Sequence, residues 1–380
     1  MGKSRPLIVL AFSNASNSEI YDAIVQEFSS LEADLECIYF GTATTPIRNF
    51  AESLGISTRG YKLDSLINQI HAISKTAIFL AQRQPSIVFG FGQTATLISF
   101  LCSIFLPKTL RVYSRQHTSS NRIDFPIKGR IYDGLSNKLA HRIIVSSKNQ
   151  HGYLINSENV NPTKIHICEF GFNISAYANP KAKDVENFRG KYNIDSSKFI
   201  IGIVSRIQDI KGLKYSISAI SSFLKLHPNA LVVLANAADA TQSQLKFVYE
   251  AIPKSNLLII ERESRMAPAY HCMDVLIHVP INETVESYGL VYVEAFASGL
   301  PTIITKSGVA NEIAQDSSNC FVVDYCNSDQ IFSALVLLFS SQDLRERLGR
   351  NAAKTVEHLD LTSMQGKYRS FVENELKSIN

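Results

Sequence analysis

The chain has 380 residues, more than the roughly 250 to 300 over which a single hydrophobic core usually grows, so two domains are expected. Apolar residues make up 45% and charged residues 19%, with no long Pro, Gly or Ser tract, which excludes a disordered or fibrous chain. The net charge is +4, and no nucleic-acid partner is expected.

From the N-terminus, short β-branched runs recur at residues 7–12, 35–40, 86–89, 111–114 and 142–146, with helix-length stretches between them. That alternation predicts βαβ units and a parallel sheet. The opening Met1-Gly2-Lys3-Ser4-Arg5-Pro6 enters the first run directly, which suits neither a secretion signal nor, with Pro6 where Ser or Thr is wanted, a myristoylation signal. The longest nearly apolar run, 97–106, is well short of the ~20 residues a bilayer-spanning helix needs. A cytoplasmic location is expected.

From Lys108 to Lys148 the charge is uneven: Lys108, Arg111, Arg115, Arg122, Lys128, Arg130, Lys138, Arg142 and Lys148 stand against Asp124 and Asp133. Such an excess suits an anionic partner, here a phosphate-bearing acceptor or an anionic membrane surface with the protein peripheral to it; it equally suits an ordinary solvated face. Residues 170–198 are polar and lack a strong apolar period, which places the linker there. A second series of strands follows at 199–204, 230–235, 256–260, 275–278, 302–304 and 320–322, then helical patterns over 343–356 and about 361–379. The expected domains are 1–175 and 176–360, both doubly wound and Rossmann-like, with a terminal helix, 361–380, crossing back to the first. Sheets of this kind bind ligands beyond the carboxyl ends of their strands, so two such domains facing across a cleft predict a bridged, two-substrate site. Six cysteines, Cys37, Cys102, Cys168, Cys272, Cys320 and Cys326, stand singly and read as reduced, mostly buried thiols with no zinc spacing.

The chemistry concentrates in 286–301. Tyr288-Gly289-Leu290 opens an apolar helix, whose N-terminal amides can hold a diphosphate, and Gly289 allows close approach. Glu286 precedes the helix and Glu294 lies about a turn and a half within it, a spacing that does not make a catalytic dyad. Each carboxylate can instead accept two hydrogen bonds from vicinal hydroxyls on different parts of one ligand. Taken alone, the stretch also fits an amphipathic helix with two solvated glutamates. It is joined by Arg206 and Lys211-Gly212 beyond the first strand of the second series, two cations able to neutralise a diphosphate and its leaving-group charge.

These residues resemble the family four retaining glycosyltransferases, glycosyl transferases group 1, of the GT-B fold. Arg206 and Lys211-Gly212 match the family's Arg and Lys-Gly; Glu286 and Glu294 match its two glutamates separated by seven residues; Ala295, Gly299-Leu300-Pro301, Gly308 and Glu312 follow at the family's offsets. The resemblance implies that Arg206 and Lys211 hold the donor's diphosphate, Glu286 the transferred sugar, Glu294 the ribose, and Tyr288, Gly289 and Leu290 the phosphates through backbone. It implies that His117, after Arg115-Gln116, is a cleft histidine beside the donor sugar, although a lone histidine also fits a structural role. Asn173, two residues after Gly171, replaces the family's aspartate; loop 13–19, loop 236–239 and the stretch 261–263 lack glycines the family places near its ligands.

The expected reaction is sugar transfer from a nucleoside diphosphate sugar, UDP- or GDP-linked, to a hydroxyl of a saccharide or lipid-linked acceptor, with retained configuration. No Asp-x-Asp occurs, so neither metal nor cofactor is expected. The alternatives are a nucleotide-sugar epimerase of the same fold and a catalytically silent saccharide-binding subunit. A nicotinamide enzyme is disfavoured, because no Gly-x-Gly-x-x-Gly follows the first strand.

Overall fold

Runs such as Leu-Ile-Val-Leu-Ala-Phe at 7–12 and Leu-Val-Val-Leu-Ala at 231–235 are buried along their whole length, the pattern of central parallel strands covered on both faces. They nucleate two sheets in a computed structural model that describes residues 5–13, 19–41, 45–237 and 240–379, without the side chains of Asn121, Asp124 and Gln242. The chain divides into two units, Met1–Phe172 with Leu359–Asn380, and Asn173–His358.

The first unit runs β1 (Leu7–Ser13), α1 (Glu19–Ser29), β2 (Asp34–Phe40), α2 (Pro46–Ser53), β3 (Ser57–Tyr61), α3 (Leu66–Arg83), β4 (Ile87–Phe91), α4 (Gln93–Cys102), β5 (Leu110–Ser114), α5 (Ser120–Asp124), α6 (Pro126–Leu139), β6 (Arg142–Val145), α7 (Lys148–Glu158) and β7 (Ile165–Ile167). Its seven strands are parallel, in the order β3-β2-β1-β4-β5-β6-β7. The sequence reading missed the two edge strands, β3 and β7. An edge strand has one neighbour, so β3 (Ser-Thr-Arg-Gly-Tyr) carries no buried apolar run.

The second unit contains α8 (Ile174–Ala178), α9 (Ala182–Tyr192), β8 (Ile200–Val204), α10 (Leu213–Leu226), β9 (Leu231–Ala235), α11 (Gln242–Ala251), β10 (Leu257–Ile260), α12 (Ala267–Tyr270), β11 (Val275–His278), α13 (Leu290–Ala297), β12 (Thr302–Ile304), α14 (Ala310–Ile313), β13 (Phe321–Val322), α15 (Ser328–Ser340) and α16 (Gln342–Val356). Its sheet order is β10-β9-β8-β11-β12-β13. The stretch read as linker holds two helices; α9 buries only Phe188, which is why no apolar period marks it.

A final helix, α17 (Leu361–Ile379), belongs to the first unit and packs on α1, where Gln365 Nε2 donates to the Ala23 carbonyl at 3.0 Å. Tyr368, fully buried, places its hydroxyl 3.3 Å from Ser114 Oγ. Gly171 marks the place where the chain leaves this unit beside its own return, since a Cβ there would lie 2.1 Å from the Asp360 carbonyl oxygen.

Strand order reverses between β1 and β4 in one sheet and between β8 and β11 in the other, the points at which open α/β sheets form ligand crevices. Among the described residues, no helix is long and apolar enough to cross a membrane. The six cysteines are unpaired; Cys37, Cys168, Cys272 and Cys320 are buried and Cys326 is exposed.

Candidate functional site

The switch point of the second sheet brings together the loops after β8 and β11. After β8 the chain makes a 3-10 turn at Asp209–Lys211, and Gly212 at φ 71° turns it into α10. Only glycine fits that corner, because a Cβ would stand 1.9 Å from the Val279 carbonyl oxygen. The two loops are tied where Ile281 N donates to the Ile210 carbonyl at 3.0 Å.

This crossing sets Lys211 against Glu286. Lys211 Nζ donates to Glu286 Oε1 at 2.6 Å, and His278, the last residue of β11, places Nε2 2.9 Å from the same oxygen. The side chains of Lys211 and Glu286 are 13% and 12% exposed, open enough for a ligand yet mostly out of water. Burial disfavours the Glu286 carboxylate, but the hydrogen bond from His278 and the charge of Lys211 outweigh it and draw its pKa down to about 2. The carboxylate is thus ionised at neutral pH. Lys211 carries three donors, so it can keep Glu286 and still reach a further anion. Sequence reasoning missed His278, although the predicted strand 275–278 ends on it.

The loop from Glu286 to α13 is held by Ser307, whose Oγ accepts from Glu286 N at 3.0 Å and donates to the Glu283 carbonyl at 3.1 Å. Gly308 crosses this loop so closely that a Cβ would lie 2.5 Å from the Tyr288 carbonyl oxygen. Gly289, at φ 88°, caps α13, which leaves the first amides of the helix without intrahelical partners, in the manner of an anion site. Tyr288 is 1% exposed, so its ring belongs to the core and any ligand contact there is through its backbone.

Glu294 lies apart from the Glu286 cluster in its bonding. Tyr177 OH donates to Oε1 at 3.1 Å and Tyr270 OH to Oε2 at 2.7 Å, so among the described residues two hydroxyls, and no cation, hold it. Burial raises its pKa, and the two tyrosine hydrogen bonds only partly oppose this. Tyr177 was hidden in the presumed linker. Arg206 is exposed and makes no side-chain hydrogen bond or ion pair among the described residues. The Glu263 carboxylate is held by Lys191 and Tyr192, while the readings on loops 13–19 and 236–239 fall largely on 14–18 and 238–239, outside the described residues.

In the first unit, His117 sits on a buried ionic cluster. Arg115 makes a bidentate pair with Glu158, at 2.7 and 2.8 Å, and reaches Asp133 at 3.2 Å, with all three side chains at most 1% exposed. His117 Nε2 lies 2.8 Å from Asp133 Oδ1, and Gln93 Nε2 donates to that oxygen at 3.0 Å. Burial, then the charge of Arg115, lowers the His117 pKa against the pull of Asp133. His117 is therefore a neutral, oriented imidazole with 15% of its side chain exposed. The cluster also corrects the reading of 108–148 as one basic face. Arg115 is interior, Arg122 pairs with Glu158, Arg142 pairs with Glu375, and Arg111 bonds to the Leu139 carbonyl and lies against His141.

Residues 184–355 match the family model described as Glycosyl transferases group 1. The chain is 22% identical over 302 residues to the capsular polysaccharide biosynthesis glycosyltransferase CapM of Staphylococcus aureus, an alignment covering 77% of this chain and 78% of that protein. It is also 22% identical to the alpha-monoglucosyldiacylglycerol synthase of Acholeplasma laidlawii, covering 57% of this chain and 53% of the other. Against that synthase, the chain spans about half the relative's length. Among solved structures, Anabaena HepE in complex with UDP-glucose superposes with a TM-score of 0.81 at 16% identity, covering 98% of this chain and all of that one. The lipopolysaccharide-biosynthesis glycosyltransferase WaaG superposes at 0.74, also at 16% identity, over 96% and 99% of the two chains. At such identities the structural likeness establishes the fold.

Proposed function

We propose that this chain of GT-B fold, whose residues 184–355 match the Glycosyl transferases group 1 model, is a retaining transferase of that family acting on a nucleoside diphosphate sugar. The observation that carries the reading is the cluster of Lys211, Glu286 and His278 at the switch point of the second sheet, beside the N-terminus of α13. Lys211, Arg206 and the α13 amides take the donor's diphosphate. Glu286, ionised and fixed by His278, accepts hydrogen bonds from hydroxyls of the sugar, and Glu294 from the ribose.

In the proposed reaction the bond from the anomeric carbon to the diphosphate oxygen breaks as an acceptor hydroxyl bonds to the same face of that carbon. The acceptor's proton passes to the departing phosphate, and Lys211 and Arg206 offset the charge developing there. This requires neither metal nor cofactor, and the neutral His117 serves as a hydrogen-bonding partner of the sugar. UDP or GDP is the nucleotide, in keeping with the UDP-glucose held by HepE. The acceptor is a saccharide or lipid-linked glycan in cell-surface polysaccharide or glycolipid synthesis, a class to which CapM and the Acholeplasma synthase point by name. The site of action is the cytoplasmic membrane face.

Thermal unfolding of the full chain with a panel of nucleoside diphosphates and their sugars tests the donor half, since a ligand bound only by the folded state raises its melting temperature. The reading expects stabilisation by one nucleotide series; if none stabilises the wild type more than the Lys211→Met variant, it fails.

A further inference from the structure

Among the described residues, exposed large apolar side chains gather on one side of the first unit: of eighteen in the structure, twelve fall between Leu66 and Ile131. Chain order and strand order together put α3, α4 and α6 on the same face of the sheet, because right-handed crossovers leaving β3 toward β4, β5 and β6 all pass over that side. The three helices lie side by side, α3 against α4 and α4 against α6. Helix α3 buries Ala72, Thr76, Phe79 and Leu80, yet its opposite face is not wholly polar. Ile67, Ile70 and Ile78 face outward there, Ile67 at 79% exposure. Beyond the end of α4, Phe105 is 90% exposed, and on α6 Ile127 is 78% and Ile131 59% exposed. A surface helix of a water-surrounded protein carries polar and charged side chains on its outer face; here the isoleucines share that face with Gln69, His71, Ser74 and Lys75.

The charges among these residues are mainly positive, with Asp64, bonded to Asn68 at the start of α3, and Asp124 as the acidic exceptions in sequence. No Asp or Glu occurs anywhere in 65–123, and of the two acidic residues that follow before 148, Asp133 is fully buried against Arg115. Lys75, Lys108, Lys128 and Arg130 are exposed among the apolar residues, Lys128 lying over the Tyr132 ring. A second copy docking the same face would set these cations against their own counterparts, which association disfavours. Outward aliphatic and phenyl groups ringed by cations are what an interface of acyl chains and anionic headgroups recognises.

We propose that the face formed by α3, α4 and α6 docks this protein on an anionic bilayer, with Ile67, Ile70, Phe105 and Ile127 entering the headgroup boundary and Lys75, Lys108, Lys128 and Arg130 holding lipid phosphates. This face shares no residue with the donor site, so either reading can fail without the other. It also relocates the membrane contact: the apolar stripe of α3 and the tip at Phe105 seat it, and the arginines that turn inward take no part.

The test is co-sedimentation of the full chain with phosphatidylcholine vesicles, with and without phosphatidylglycerol, at low and high salt. The expected result is binding to the anionic vesicles that weakens with salt, about fivefold loss for each of Lys128→Ala and Arg130→Ala, and at least about tenfold loss for the triple variant Ile67→Ser, Ile70→Ser, Phe105→Ser. Leu337→Ser, at an exposed apolar position of α15, is expected to bind as wild type. Circular dichroism melts verify that each variant is folded, and the two single lysine and arginine variants carry the test if the triple variant is not. Wild type that ignores anionic vesicles at low salt overturns the proposal, as do folded variants that all bind undiminished. A dimer in solution that the triple variant converts to monomer also overturns it, by assigning the face to a second copy.

Discussion

Replacing Glu286 by Gln preserves the shape of the side chain and removes the charge that Lys211 and His278 surround. The wild-type carboxyl titrates at about 2 in the folded chain against an ordinary 4.5, and at about 1.36 kcal/mol per pH unit the ionised form stabilises the fold by roughly 3 kcal/mol at pH 7. Because the folded value lies below the unfolded one, this stabilisation is complete above about pH 4.5 and drains away as pH falls toward 2. At pH 3.5 about 2 kcal/mol remains by the same relation. For a unit of this size, 1 kcal/mol moves the melting temperature by about 2 to 4 °C. Glu286→Gln should therefore melt about 6 to 12 °C below wild type at pH 7, with the gap narrowing to about 4 to 8 °C at pH 3.5. Differential scanning calorimetry on both proteins at the two pH values measures this. A gap that is absent, or that does not shrink with acid, would refute an ionised, paired Glu286.

Glu294→Gln should behave in the opposite way. Burial raises the Glu294 pKa, so its ionised form costs stability as pH rises past the ordinary carboxylate range; the variant should melt no lower than wild type at pH 7 while binding nucleoside diphosphate, but not inorganic pyrophosphate, more weakly by calorimetric titration. Lys211→Met removes a charge-assisted donor and should weaken nucleoside diphosphate binding about 10- to 100-fold in the same assay. Gly212→Ala forces a Cβ against the Val279 carbonyl at φ 71° and should lower both stability and nucleotide affinity. Gly190→Ala in α9, where nothing lies within 4 Å of the new Cβ, should instead raise stability by about 0.5 to 1 kcal/mol in chemical denaturation.

What the sequence revealed follows from which interactions leave a local trace. Central strands such as β1 and β9 are buried on both faces and so appear as unbroken aliphatic runs, whereas β3, with a neighbour on one side only, reads as polar loop. Lys211, Gly212, Glu286 and Gly289 stood out because their spacing is fixed by two turns, each with a glycine at positive φ. His278 and Tyr177 did not, since their roles arise only when β11 meets the following loop and α8 meets α13. Counting charge along 108–148 also misled: a sequence shows that Arg115 is basic but not that Asp133 and Glu158 enclose it. The outward isoleucines of α3 are a difference of direction, not of composition, and only the fold separates them from its core stripe.

The central claim, that the cluster around Lys211 and Glu286 activates a nucleotide sugar with retention, can be read without knowing the acceptor, because water can stand in for it slowly. Proton NMR of the full chain with α-linked UDP- and GDP-hexoses in EDTA follows the first anomer released. The account predicts release of nucleoside diphosphate with the α-anomer appearing first, and loss of this turnover in Glu286→Gln. A β-anomer appearing first, or turnover that the substitution leaves intact, would contradict it.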